Sequence, residues 1–194
     1  MKGSIKGYLK LIGSSKIYLI VLGSAYLIGI AVGCVFSPMA QRFVLSESVA
    51  VFYYNAFSSG GRIFSLIFTV VLSDVFFLVI FYGCSFTFFT VFIDLALLFY
   101  RGYVLSCVAF LFIKMFGVSG AFLYVLCVFL HNAVFSAALC VFAAITAKLS
   151  RRKNKNFYDL RNDLFILTAA AGVVAVAAEL IFLLCVLRPI NSIF

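Results

Sequence analysis

An all-α bundle of about five membrane-spanning helices is the fold this 194-residue chain predicts, and three observations carry the expectation. First, 66% of the residues are apolar and the mean hydropathy is +1.24. Second, only 11% are charged, under half of the roughly 25% that covers a water-soluble domain. Third, the apolar residues gather in five long runs, and about 20 helical residues at 1.5 Å each cross a hydrocarbon core of ~30 Å. These figures exclude a soluble enzyme, a disulfide-stapled secreted module and a disordered tail. The length suits a single membrane domain.

The elements follow in order. Residues 1–16 form a basic segment, with Ile5, Tyr8, Leu9 and Ile12 on one helical stripe and Lys2, Lys6 and Lys10 mostly on the other face, the pattern of a helix lying on an anionic leaflet. Residues 17–36 are the first span, stopped at Ser37-Pro38. In the loop that follows, 37–62, Ser37 and Pro38 read as an N-cap and first-turn pair. Leu45, Val49, Phe52 and Ala56 follow at helical spacing, and Ser58-Ser59-Gly60-Gly61 ends that stretch. Both flanking stretches also read as plain juxtamembrane linkers. The second span is 63–82. The third, 86–116, is too long: thirty-one residues would reach about 46 Å, so it tilts, protrudes or breaks, and Arg101-Gly102 is the natural break. Residues 118–147 are the fourth span, 148–163 a basic loop and 164–187 the fifth span.

Basic residues orient the bundle. Lys2, Lys6, Lys10 and Lys16 precede the first span, and Lys148, Arg151, Arg152, Lys153, Lys155 and Arg161 lie between the fourth and fifth. An odd number of spans puts both clusters on one side, ten basic residues against Arg42, Arg62, Lys114 and Arg188 on the other. The positive-inside rule then places the N-terminus in the cytoplasm and the C-terminus outside. The net charge of +9 is thereby assigned to lipid headgroups and topology, and no nucleic-acid partner is expected. The first apolar run is longer than a signal-peptide core and reads as a retained anchor.

Ionisable groups inside the spans are the most informative residues, because each needs a partner or a polar interior. They are Asp74, Asp94, Arg101, His131 and Glu179, with Asn132 beside the histidine. Rise along the helices suggests two tiers: Arg101 with Glu179 at roughly 22 Å from the inner face, and Asp74 with Asp94 and His131-Asn132 at roughly 10–13 Å. Two acids in the second tier require that one be protonated or bonded to the histidine. Ala25, Gly29 and Gly33 make a small-residue stripe suited to close helix contact, within the chain or with a partner. Ala169 to Ala178 gives the fifth span a thin waist suited to a central position. Cys34, Cys84, Cys107, Cys127, Cys140 and Cys185 fall in or beside apolar runs with no CxxC pair and read as small packing residues. His131 has no second ligand at zinc spacing, and no phosphate or dinucleotide loop is present. No metal, cofactor or catalytic residue is expected. Gly117-Val118-Ser119-Gly120 looks like the GxSG element of rhomboid proteases. Ser119 and His131, however, lie about 18 Å apart on one expected helix and cannot form a dyad. The bland reading is a turn between the third and fourth spans.

The run Phe99-Tyr100-Arg101-Gly102-Tyr103-Val104-Leu105-Ser106, then Phe116-Gly117-Val118-Ser119-Gly120, then Leu130-His131-Asn132, resembles in order and spacing the motifs of the stage II sporulation protein M family. Ile28-Gly29, Gly33 and Glu179 are similar to further family positions; Ser106 stands where the family carries glycine. The resemblance implies a non-enzymatic multi-spanning protein of the bacterial cytoplasmic membrane. In spore-formers, the family member scaffolds peptidoglycan-degrading partners during engulfment. On this reading Arg101, Gly102, Gly117, Gly120, His131, Asn132 and Glu179 are the family positions, and the partners are the lipid bilayer and membrane or cell-wall-remodelling proteins, with a homo-oligomer compatible. The alternative is a small permease or channel subunit that uses the intramembrane carboxylates to move an ion or solute.

Overall fold

The computed structural model describes residues 12–40, 63–85, 89–150 and 157–190. Among these there is no strand. The helices are α1 (Lys16–Ala40), α2 (Ile63–Cys84), α3 (Thr90–Tyr124), a π-helical turn (Val125–Phe129), α4 (Leu130–Ser150) and α5 (Phe157–Ile190). Four stretches are long and apolar enough to cross a membrane: Lys16–Ser37, Thr90–Lys114, Leu130–Lys148 and Arg161–Ala178. The helix α2 adds 22 residues of the same character. The chain is a multi-pass membrane protein. Its outward faces are apolar, with Ile17, Leu27, Phe76, Phe92, Val118, Ile166 and Val173 all well exposed. In water such a surface would aggregate; in lipid it is solvated. The amphipathic stretches expected at 1–11 and 41–62 lie outside the described residues.

Two polar contacts fix the helix directions. Lys148 Nζ donates to the Ser14 carbonyl at 2.6 Å, joining the end of α4 to the start of α1. The Tyr82 hydroxyl donates to Asn162 Oδ1 at 2.8 Å, joining the end of α2 to the start of α5. Successive helices therefore alternate in direction, and Lys16, Lys148 and Arg161 share one end, as an odd number of spans requires.

Several boundaries differ from the expectation, each for a local reason. Ser37-Pro38 does not stop α1, which runs to Ala40. Proline lacks the N–H that would bond the Cys34 carbonyl four residues back, and the Ser37 hydroxyl donates to that oxygen instead, at 3.3 Å. The helix thus passes through its proline near the end. The expected basic loop 148–163 is shorter, because α4 continues to Ser150 and α5 begins at Phe157. Arg161 is therefore a helical residue, 2% exposed, with its guanidinium over the Tyr82 ring at 4.8 Å.

The third span is not broken at Arg101-Gly102. Helical geometry continues through both residues, and the break sits at Gly117, with φ 61° and ψ −137°. The chain doubles back there: the Tyr124 hydroxyl donates to the Leu105 carbonyl at 3.0 Å, although nineteen helical residues would separate them by about 28 Å. Positive φ with this ψ is a region that side chains strain to enter. Gly117→Ala is expected to cost on the order of 1–3 kcal/mol although open space surrounds the position, as read by thermal unfolding in detergent.

The core differs from the expectation in its centre. The most enclosed helix is α4, where Leu139, Phe142, Ala143, Ala144, Ile145 and Ala147 are all essentially buried, while α5 exposes Ile166, Leu167, Val173 and Val174. Leu22 of α1, Leu78 and Phe81 of α2, Leu98 of α3 and Leu164 of α5 close around α4. Small side chains on α4 let four neighbours approach it, whereas the alanine run on α5 turns inward only in part, at Ala169, at Gly172, tight against the Phe135 ring, and at Ala175.

The stripe of small residues on α1 is used inside the chain. A methyl group at Gly29 would overlap the Phe99 carbonyl, one at Gly33 the Ser106 hydroxyl, and one at Gly102 the Tyr26 carbonyl. Glycines on both helices thus set a backbone-to-backbone crossing of α1 and α3. Gly29 and Gly33 are buried there and Ala25 is half-buried beside them, so this stripe is not free for an outside partner.

Candidate functional site

Buried positions recur along one face of each inner helix. On α2 they are Asp74, Leu78 and Phe81; on α3, Thr90, Asp94, Leu98, Arg101 and Leu105; on α4, His131, Phe135, Ser136 and Leu139. Spacings of three and four, with Ser136 directly beside Phe135 on α4, keep each set on one stripe. Asp74, Arg101, His131 and Ser136 from these stripes meet mid-bundle.

Arg101 is the hub. Its Nη2 donates to Asp74 Oδ1 at 2.7 Å and to Asn132 Oδ1 at 2.9 Å, and its Nε donates to Ser136 Oγ at 3.0 Å. The guanidinium lies between two rings, 5.0 Å from the centroid of Phe77 and 4.7 Å from that of Phe135, where cation–π attraction adds to the ion pair. Arg101 is 6% exposed and Asp74 7%. The second carboxylate oxygen of Asp74 accepts from His131 Nε2 at 2.5 Å, and the imidazole stacks nearly parallel on Phe135. Asn132 is held by its own backbone: Nδ2 donates to the Val128 carbonyl inside the π-turn at 2.8 Å, which leaves Oδ1 facing the arginine. The Tyr26 hydroxyl, from α1, is buried beside Ser136. One cation, one anion, an imidazole and two polar neutrals join three helices inside the bundle.

The two-tier expectation is corrected. Arg101 does not sit a tier above Asp74 but pairs with it, and His131 and Asn132 belong to the same group. Counted from Ala147, the inner end of its span, His131 is sixteen residues up, about 24 Å, level with Arg101 and well above the 10–13 Å assigned to it. The flexible stem of Arg101 spans the remaining offset to Asp74. Asp94 does not join Asp74: its Oδ2 accepts from the Thr90 hydroxyl at 3.3 Å, seven residues below Arg101 on the same face of α3. The side chain of Glu179, the expected partner of Arg101, lies outside the described residues.

Other positions resolve into packing roles. Gly102 is a close-approach residue, Gly117 a reversal, and Gly120 is buried one turn after it. Ser119 is exposed at the reversal. Cys34, Cys107 and Cys140 carry free thiols. Among the described residues no three His, Cys, Asp or Glu side chains converge as metal ligands. Sequence reasoning missed Ser136 and the two flanking rings. Their signal was spacing: Asn132 and Ser136 are one helical turn apart, so a side chain reaching one reaches the other. No family model, curated protein or solved structure matches the chain.

Proposed function

We propose that this protein is a non-enzymatic scaffold or complex subunit of the bacterial cytoplasmic membrane, oriented N-in and C-out, that holds cell-wall-remodelling partners at the bilayer. One observation carries the reading. The motif residues that resemble the sporulation protein M family, Arg101, Gly102, His131 and Asn132, are spent on joining helices: three in the central network and one at the α1–α3 crossing. The motif thus specifies a bundle, and the surfaces left to act are the exposed ones.

The test is chemical cross-linking in intact cells, then purification of the tagged full-length protein in mild detergent. Peptidoglycan hydrolases or their membrane anchors are expected in the cross-linked fraction and not with an unrelated multi-pass control. The competing reading is a small permease or channel subunit, in which the buried Asp74–His131 contact would relay protons. Proton or solute flux in reconstituted vesicles that disappears with Asp74→Asn, without any co-purifying partner, would replace the scaffold reading.

A further inference from the structure

Asp94 occupies surroundings that a lone carboxylate does not tolerate. It is 1% exposed. One oxygen accepts a single bond from Thr90; the other, Oδ1, is buried with no hydrogen-bond partner among the described residues. The ion pairs among those residues belong to Asp74, not to Asp94. On the neighbouring helix α2, the titratable group within its field is the Cys84 thiol. Of the described cations at this end of the bundle, Lys148 bonds the Ser14 carbonyl, Arg161 bonds the Tyr82 hydroxyl, and Lys16 is exposed on α1. Asp94 is the fifth residue of α3, beyond the first turn in which a helix dipole supports an anion. Burying an ionised carboxylate costs several kcal/mol even after relaxation, and one hydroxyl donor returns about 1.5–3 kcal/mol. Charge neutrality at this position therefore needs a cation, and the smallest one requires no further ligands.

We propose that Asp94 is a proton-binding site, exchanging its proton with the end of the bundle where α3 begins. The first residue of α3 is about 6 Å of rise away. On the other side the fully buried Leu98 stands between Asp94 and Arg101 on the same face of α3, packed in the buried apolar cluster that holds Leu78, Phe81 and Leu139, and the Arg101 network begins about 10 Å of rise further along. A proton that enters at Asp94 leaves by the same side, so the site binds without conducting. This is independent of the scaffold reading and distinct from the relay in the permease reading, which needs continuity between the two carboxylates.

Infrared spectroscopy of the full-length protein in lipid vesicles tests it. At neutral pH an un-ionised carboxyl C=O band is expected, shifted in heavy water, declining as pH rises. Asp94→Asn removes this component and Asp74→Asn leaves it. Absence of the band in the parent protein, its loss in Asp74→Asn instead, or its replacement on adding sodium at fixed pH would overturn the proposal. Should Asp94→Asn fail to fold, dicyclohexylcarbodiimide gives a second reading on the parent protein. The protonated carboxyl adds across the C=N bond and rearranges to a stable N-acylurea, with no atom lost. The adduct is expected on the peptide carrying Asp94; an adduct on Asp74 with none on Asp94 overturns the assignment.

Discussion

Asp74→Ala is expected to destabilise the bundle by about 3–5 kcal/mol, the cost of leaving a buried charge without its partner. The substitution removes the only anion within ion-pair distance of Arg101 among the described residues and the acceptor of the His131 bond. What remains on the guanidinium is Asn132, Ser136 and two aromatic faces. These neutral groups solvate a cation in part but do not balance it, and the membrane supplies no water to finish the task. The reverse change, Arg101→Met, is expected to cost less. Asp74 would keep its bond to His131. The pair Asp74→Leu with Arg101→Leu should recover most of the loss, since apolar replacement of both members of a buried ion pair is often neutral or better. Reversible unfolding in mixed detergent micelles reads all three. A single Asp74→Ala loss under about 1 kcal/mol, the range of an exposed pair, would mean that the site is wet and the charge reading wrong.

The same arithmetic explains which parts of this protein could be read from its sequence. Apolar run length placed the five helices, because hydrocarbon thickness leaves little freedom in where a span can be. The ionisable residues of the central network were legible for a related reason: an intramembrane Arg, Asp or His has few acceptable explanations. Their pairing was not. It depends on relative helix level and on side-chain reach: the arginine stem spans an offset between Arg101 and Asp74 that rise along the helices treats as two tiers. Terminal signals also misled. Ser37-Pro38 carries the chemistry of a helix start, yet the hydroxyl of Ser37 repairs the bond that Pro38 deletes, and no local pattern distinguishes the two uses. Arg101-Gly102 has the composition of a weak point, because glycine loosens a helix in isolation. Here the missing side chain is what lets α1 touch α3, and tertiary contact outweighs propensity. The π-turn before His131 has no sequence signature at all.

That contact yields the second large expected effect. Gly29→Leu is expected to destabilise the protein by about 3 kcal/mol or more, at or beyond the usual range for overpacking, while Gly23→Leu, six residues earlier on the same helix, should be near neutral. The comparison holds chemistry and helix constant and varies only what faces the new side chain. At Gly23 nothing lies within 4 Å, whereas at Gly29 a new methyl group would already overlap the Phe99 backbone. A carbonyl in a helix cannot rotate aside as a side chain can, so relief requires α1 to move away from α3. That movement also opens the approaches at Gly33 and Gly102, so Gly29→Leu combined with Gly102→Leu should cost much less than the sum of the two singles, the mark of sites that fail together. Gly33 should be gentler for alanine, since part of what it meets is the rotatable Ser106 hydroxyl, though the Tyr103 carbonyl at 2.7 Å limits the relief. Equal losses at Gly23 and Gly29 would show that the two helices do not touch backbone to backbone.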